Sequence, residues 1–124
     1  MSGLCAGRVC VVTGAAQGIG RAHVEALVAA GARVVVNDVD AEAVHVAVAA
    51  LQSASPKAPD APVAAGHVGD VSTAAGAETL VGTALAAGGR RDVVMNHAGI
   101  ARARRLVTLS EADWAAVLNV HLRS

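Results

Sequence analysis

A chain of 124 residues has room for one domain, and a domain of that size buries about two-thirds of the surface its unfolded chain exposes. Ten basic residues balance ten acidic ones, and the formal charge of zero gives no electrostatic basis for binding nucleic acid or an anionic membrane. The apolar content of 54% is carried largely by Ala and Val, with one Trp and neither Phe nor Tyr, so the core must be assembled from many small contacts.

No apolar run approaches the roughly 20 residues that span a bilayer. Met1 to Gly7 lacks the charged and apolar regions of a secretory signal. Cys5 and Cys10 match no metal or redox spacing, and no metal site is expected. They read as reduced, inert thiols of a cytoplasmic protein.

In chain order, the first predicted strand is Val9-Cys10-Val11-Val12, a short β-branched run that leads into Thr13-Gly14-Ala15-Ala16-Gln17-Gly18-Ile19-Gly20. A helix follows from about Gly18 to Ala30, with Ile19, Ala22, Ala26 and Ala29/Ala30 as a small-residue stripe expected to lie on the sheet, Val24, Leu27 and Val28 beside it, and Gly31 as its stop. Arg21 and His23, near its start, read as solvated or locally packed. Arg33-Val34-Val35-Val36-Asn37-Asp38 is the second strand, and Asp38 comes eighteen residues after Gly20. Glycines at the strand–helix turn let backbone N–H groups approach a phosphate, and the helix start adds free donors and its positive dipole end. A carboxylate closing the next strand can accept hydrogen bonds from two ribose hydroxyls. Strand, glycine turn, helix, strand and acid therefore form a nucleotide-binding βαβ unit.

Asp40 is a suitable N-cap for a second helix, with Val44, Val48 and Leu51 as its buried face. Residues 53–62 carry three prolines in seven positions and read as an extended surface loop. Val63 to Val68 is a weaker third strand closed by Gly69-Asp70-Val71-Ser72. A helix expected to start at Ser72 places Ala77, Leu80, Val81, Ala84 and Leu85 on one face, and Gly88-Gly89 stops it. Asp92-Val93-Val94-Met95-Asn96 is the fourth strand, with His97-Ala98-Gly99-Ile100 after it. Arg102, Arg104 and Arg105 read as a solvated loop, or as partners for an anionic handle such as the phosphates of a coenzyme A thioester. Ser110-Glu111-Ala112-Asp113 is a capping box that opens a last helix, whose apolar face would be Trp114, Val117, Leu118 and His121.

The glycine pattern T-G-x-x-x-G-I-G at Thr13 to Gly20, together with Asn96-His97-Ala98-Gly99, resembles the short-chain dehydrogenase/reductase family, and the resemblance runs over nearly all 124 residues. It implies an α/β fold: a Rossmann-type doubly wound parallel sheet, four strands in order 3-2-1-4, truncated before the fifth strand. Residues 1–124 would then be the cofactor-binding half of one domain. By the same resemblance Thr13, Gly14, Gln17, Gly18, Ile19, Gly20 and Asp38 would hold the dinucleotide, Asp70 and Val71 would meet the adenine ring (the alternative for Asp70 being a cap on its own turn), and Ala98 and Gly99 would abut the inner ribose. Asn96 would tie strands together through its amide. His97 stands where the family carries a second Asn, and Arg91 where it usually carries an apolar residue.

The run Val120-His121-Leu122-Arg123 resembles the dehydrogenase domain of multifunctional β-oxidation enzymes and their bacterial relatives, which oxidise 3-hydroxyacyl-coenzyme A thioesters with NAD. His121, not Asn119, falls in the register of the family's auxiliary catalytic Asn, and an imidazole can also hold a water through either ring nitrogen. The family's catalytic Ser and Tyr-x-x-x-Lys lie beyond Ser124, and the sequence contains no tyrosine, so these residues alone are expected to be inactive. The fourth strand would be an apolar edge that invites association, and full-length relatives are expected to be homo-oligomers acting on a small molecule.

NAD is the expected cofactor, with NADP disfavoured. A 2′-phosphate about 4 Å from Asp38 meets up to about 4 kcal/mol of repulsion per unit charge at an effective dielectric near 20, and Gln17 and Val39, where a phosphate-binding Arg could sit, are uncharged. Two other readings share parts of this pattern. A non-catalytic nucleotide-binding fragment or sensor needs no tyrosine, and an S-adenosylmethionine methyltransferase shares the strand–glycine–acid logic but fits the two motifs poorly.

Overall fold

The computed structural model describes residues 4–54, 63–89, 92–98 and 110–123, with backbone only at 121 and 123. Its order is β1 (Val9–Val12), α1 (Gly18–Ala29), β2 (Arg33–Asp38), α2 (Ala41–Ala54), β3 (Ala64–Val68), α3 (Ala74–Gly88), β4 (Val93–Met95) and α4 (Glu111–Leu118), followed by a π-helical segment, Asn119–Arg123. The strands form one parallel sheet in the order β3-β2-β1-β4, as the sequence predicted. Each parallel neighbour is reached through a helix, which is the crossover that such pairing requires.

Side chains alternate across the two central strands. Cys10, Val12, Val34 and Val36 face α1 and α2, where Val24, Val44, Ala47 and Leu51 complete a continuous core. Val11 and Val35 face the other way, onto Val71, Leu80 and Ala84. Both faces of β1 and β2 are therefore buried, and their near-continuous Val runs are the sequence mark of that environment.

The helix faces were only partly legible. On α1 the expected stripe is turned outward: Ile19, Ala22, Ala26 and Ala29 are exposed, and Gly20 and Val24 are buried. The reason is the start of the helix, where Gly20 lies against the glycine turn. A Cβ at Gly20 would stand 2.3 Å from the Gly14 carbonyl oxygen, so this position fixes which side of α1 approaches the sheet. On α3, Leu80 and Ala84 are buried, but Val81 and Leu85 are exposed. Its N-cap is Thr73, one residue later than expected, because the Ser72 hydroxyl donates to Asp70 instead. The α2 helix runs on through Ser53 and Ala54, and the remainder of the expected proline loop lies outside the described residues, as does Arg91.

The Ser110 cap of α4 is present, its hydroxyl accepting the Asp113 N–H at 3.0 Å. The apolar face expected after it is not buried. Trp114 is 57% exposed, and the switch to π-helical winding at Asn119 breaks the 3.6-residue spacing that placed His121 on that face. Val117 and Leu118 on the same face are half-buried.

Gly20→Ala should lower stability by about 1–3 kcal/mol, because the backbone that its methyl meets cannot swing aside. The expected readout is a lower urea midpoint at unchanged slope. An unchanged midpoint would show that α1 can shift without loss.

Candidate functional site

A cleft of about 550 Å³ opens at the C-terminal ends of the strands, where β1, β2 and β4 pass into their loops. Gly14, Gln17, Gly18, Ile19, Asp38, Asp70, Val71 and Ala98 line it, so eight of the predicted site residues meet in one place. Thr13, Gly20 and Asn96 do not line it. Gly99 and the His121 side chain lie outside the described residues, as do Arg102, Arg104 and Arg105.

The glycine turn is tied on both sides. Towards β4, Thr13 is buried, and its hydroxyl accepts the backbone N–H groups of His97 at 2.9 Å and Ala98 at 3.0 Å. This is the tie that the sequence reading gave to Asn96, whose exposed amide makes no such bond among the described residues. The difference is one of position: a buried hydroxyl at the end of β1 reaches two neighbouring donors, whereas Asn96 is exposed. Towards β2, the Ala15 N–H donates to the Asn37 carbonyl at 2.8 Å and the Ala16 N–H to Asp38 Oδ2 at 3.3 Å. The other carboxylate oxygen of Asp38 takes the Val39 N–H at 2.8 Å.

Gly18 has φ +61° with nothing within 4 Å of its missing Cβ, so the turn presents open backbone to the cleft at the start of α1. That start differs from the other three. Asp40, Thr73 and Ser110 each accept an N–H from the first turn of α2, α3 and α4, but Gln17 makes no side-chain cap on α1. The first donors of α1 are therefore left for an acceptor entering the cleft, and the helix dipole favours an anionic one.

At the opposite end, Asp70 Oδ1 accepts from the Ser72 hydroxyl at 2.6 Å and the Ser72 N–H at 2.9 Å. These bonds, the hydroxyl first, hold the Asp70 carboxyl below its ordinary range. Val71 is buried in the α3-side core, so it meets the cleft at its base.

Val39 and His97, both singled out in the sequence, also line the cleft, and so do Asn37, Gly69 and, from the π-helical segment, Val120, which the sequence reading did not assign to a site. Asn37 reads as a polar interruption at the end of a Val run, and that was the available signal. It is buried, and its Nδ2 donates to Gly69 O at 3.2 Å, to His67 O at 3.4 Å and to His67 Nδ1 at 2.9 Å. With Nδ1 accepting, His67 Nε2 carries the proton and donates to Thr79 Oγ1 at 2.8 Å, and that hydroxyl donates to Gly76 O at 3.0 Å. One chain of bonds thus joins β2, β3 and α3 under the cleft.

His97, the departure from the expected motif, leaves the backbone bonding intact because its N–H still reaches Thr13. Its ring lies edge-on to His23 with centroids 5.6 Å apart, and His23 Nδ1 is buried without a partner among the described residues. Cys5 and Cys10 are free, and burial pushes the Cys10 thiol up, which keeps it protonated. Among the described residues no cluster of three metal-binding side chains occurs, and no helix is long and apolar enough to cross a membrane.

The sequence profile of the short chain dehydrogenase family matches residues 8–124. The chain belongs to this family. Among curated relatives it is 44% identical over 117 residues to the hydroxyacyl-CoA dehydrogenase ChsB1 of Mycobacterium tuberculosis, covering 94% of this chain and 36% of that protein. It is 41% identical over 119 residues to the peroxisomal multifunctional enzyme type 2 of Drosophila melanogaster, covering 94% and 20%. The chain thus spans well under half the length of these two relatives. Among solved structures, a short-chain dehydrogenase/reductase from Burkholderia phymatum in complex with NAD superposes with a TM-score of 0.88 at 34% identity, covering 96% of this chain and 40% of that one. A metagenomic short-chain oxidoreductase in complex with NADP gives 0.81 at 34% identity, covering 93% and 50%. Family members of this shape therefore bind either dinucleotide.

Burial pushes the His67 imidazole below its ordinary value of 6.5. A base with a depressed folded pKa binds fewer protons folded than unfolded, so it contributes stability above 6.5 that is lost as pH falls through the folded value. Protonation would also set an Nδ1 donor against the Asn37 amide, which cannot turn over without facing its oxygen to two carbonyls. Urea titrations from neutral to mildly acid pH should show stability falling below about 6.5 and a shallower fall in His67→Gln. Equal slopes would remove His67 from the linkage.

Proposed function

We propose that this chain forms the NAD-binding part of an oxidoreductase that interconverts a secondary alcohol and a ketone, with a 3-hydroxyacyl thioester as the substrate class. The observation that carries the cofactor reading is the uncapped start of α1 beside the open backbone of Gly18. Capping groups on the other three helices show what a helix start in this fold does when it has no ligand to serve. A pyrophosphate supplies acceptors for such donors, and the cleft that runs from there past Asp38 to Asp70 accommodates a ribose and a base in line. The acyl-thioester reading rests on the names of two relatives, a hydroxyacyl-CoA dehydrogenase and a multifunctional enzyme, and on the Val120-His121-Leu122-Arg123 run.

When bound, NAD supplies a hydride acceptor. The roles of this chain's own residues are to bind and to position. The first N–H groups of α1 would hold the anion, and Asp38, already oriented by the Ala16 and Val39 N–H groups, would take the ribose hydroxyls. The small Ala98 leaves the cleft floor open at the end of β4. By the family resemblance, His121 stands at the position whose residue would hold a water for proton transfer. The sequence has no tyrosine, so the phenol that exchanges a proton with the substrate oxygen in this family comes from outside these residues. The absence of tyrosine equally favours a second reading, a nucleotide-binding unit that does no chemistry; turnover of a 3-hydroxyacyl thioester separates the two.

Asp38→Ala should weaken NAD binding about tenfold or more, the worth of hydrogen bonds to a charged acceptor, and should narrow the gap between NAD and NADP. Calorimetric titration of both dinucleotides checks this. Equal affinities in the unmutated chain would refute the preference for NAD.

A further inference from the structure

A second cavity, of about 330 Å³, adjoins the cleft and shares Gln17 with it. The two meet at the bond between the Ala16 N–H and Asp38 Oδ2, since Ala16 lines one and Asp38 the other. Its charged lining is Arg21, Asp40 and Glu42. Arg21 is the cation of this cavity, and Glu25 one helical turn later engages it, with Nε to Oε1 at 3.3 Å. Asp40 is committed as the cap of α2, accepting the Ala43 N–H at 3.1 Å, while Glu42 stands in the first turn of the same helix.

We propose that this cavity, and not Asp38 alone, decides against a 2′-phosphorylated dinucleotide, with Glu25 and Glu42 as specificity-determining residues. The inference rests on the dinucleotide reading of the main cleft. Asp38 is bonded to the Ala16 N–H, and Ala16 and Gln17 line the second cavity, so a ribose at Asp38 would lie beside that cavity and a phosphate on its 2′ oxygen would need a cation there. Arg21 is in position, but Glu25 neutralises it, and Glu42 adds a negative charge from the opposite wall. An exposed i, i+4 ion pair is held weakly. Removing Glu25 therefore releases Arg21 without disturbing α1.

The test is the affinity of the full chain for NAD and for NADP at low ionic strength, where exposed charges are least screened. The variants are Glu25→Gln, Glu42→Gln, the double variant, and the double variant with Arg21→Gln. Each single change should tighten NADP binding about twofold to fivefold, the range of exposed charge pairs, with NAD affinity held within about twofold. The double variant should gain more, and Arg21→Gln should remove the share due to Glu25. An unchanged NADP-to-NAD ratio in the double variant, with NAD still bound, overturns the proposal. So does an equal tightening of both dinucleotides, which would be a general charge effect. Failure of the unmutated chain to bind either one overturns the dinucleotide reading itself, and it shows before any variant is made.

Discussion

The structure depends on the close approach of the glycine turn to the end of β4. A Cβ at Gly14 would lie 2.8 Å from the Ala98 Cα, so any side chain there pushes the two loops apart. The missing Cβ lets Thr13 reach the His97 and Ala98 N–H groups and take two donors that a parallel strand leaves behind as it ends. The same turn is bound to β2 through Ala15 and Ala16. Three strand ends are thereby held at fixed spacing, and the cleft is the space between them.

Around that contact the chain is built from small residues brought very near one another. With no Phe or Tyr to fill gaps, apolar burial has to come from close helix–sheet approach. Gly66 and Gly88 provide it: a Cβ on either would stand 2.7 Å from Val44 and 2.3 Å from Val9 respectively. Beneath the cleft, polar groups enter this interior as a connected network. Asn37, His67 and Thr79 satisfy one another and three backbone carbonyls, which is the condition under which a buried imidazole is tolerated.

The strands and most of the cleft were legible from local signals, and the sheet order from the family resemblance that the spaced motifs carry. Continuous Val runs mark strands buried on both faces, and glycines followed by an acid mark the turn and the ribose end. The helix faces were less legible. The α1 stripe was misjudged because Ala is compatible with either side of a helix, and the deciding residue, Gly20, carries no hydrophobic signal. Thr73 displaced Ser72 as a cap because Ser72 is held by Asp70. On α4, Trp114, Val117 and Leu118 keep regular helical spacing and none is fully buried, while His121 falls in the π-helical segment that breaks that spacing.

The sequence by itself determined the family, the parallel α/β architecture and the residues that converge on the cleft, since these depend on periodicity and on a spaced motif. Only the tertiary structure decided which groups stand behind them. That Thr13 and not Asn96 clamps β4 depends on atoms distant in the chain and adjacent in space. So does the placing of Asn37 and His67 in one network, and of Arg21 and Glu42 on the walls of one cavity. Distances across a fold are set by packing, and no spacing along the chain encodes them.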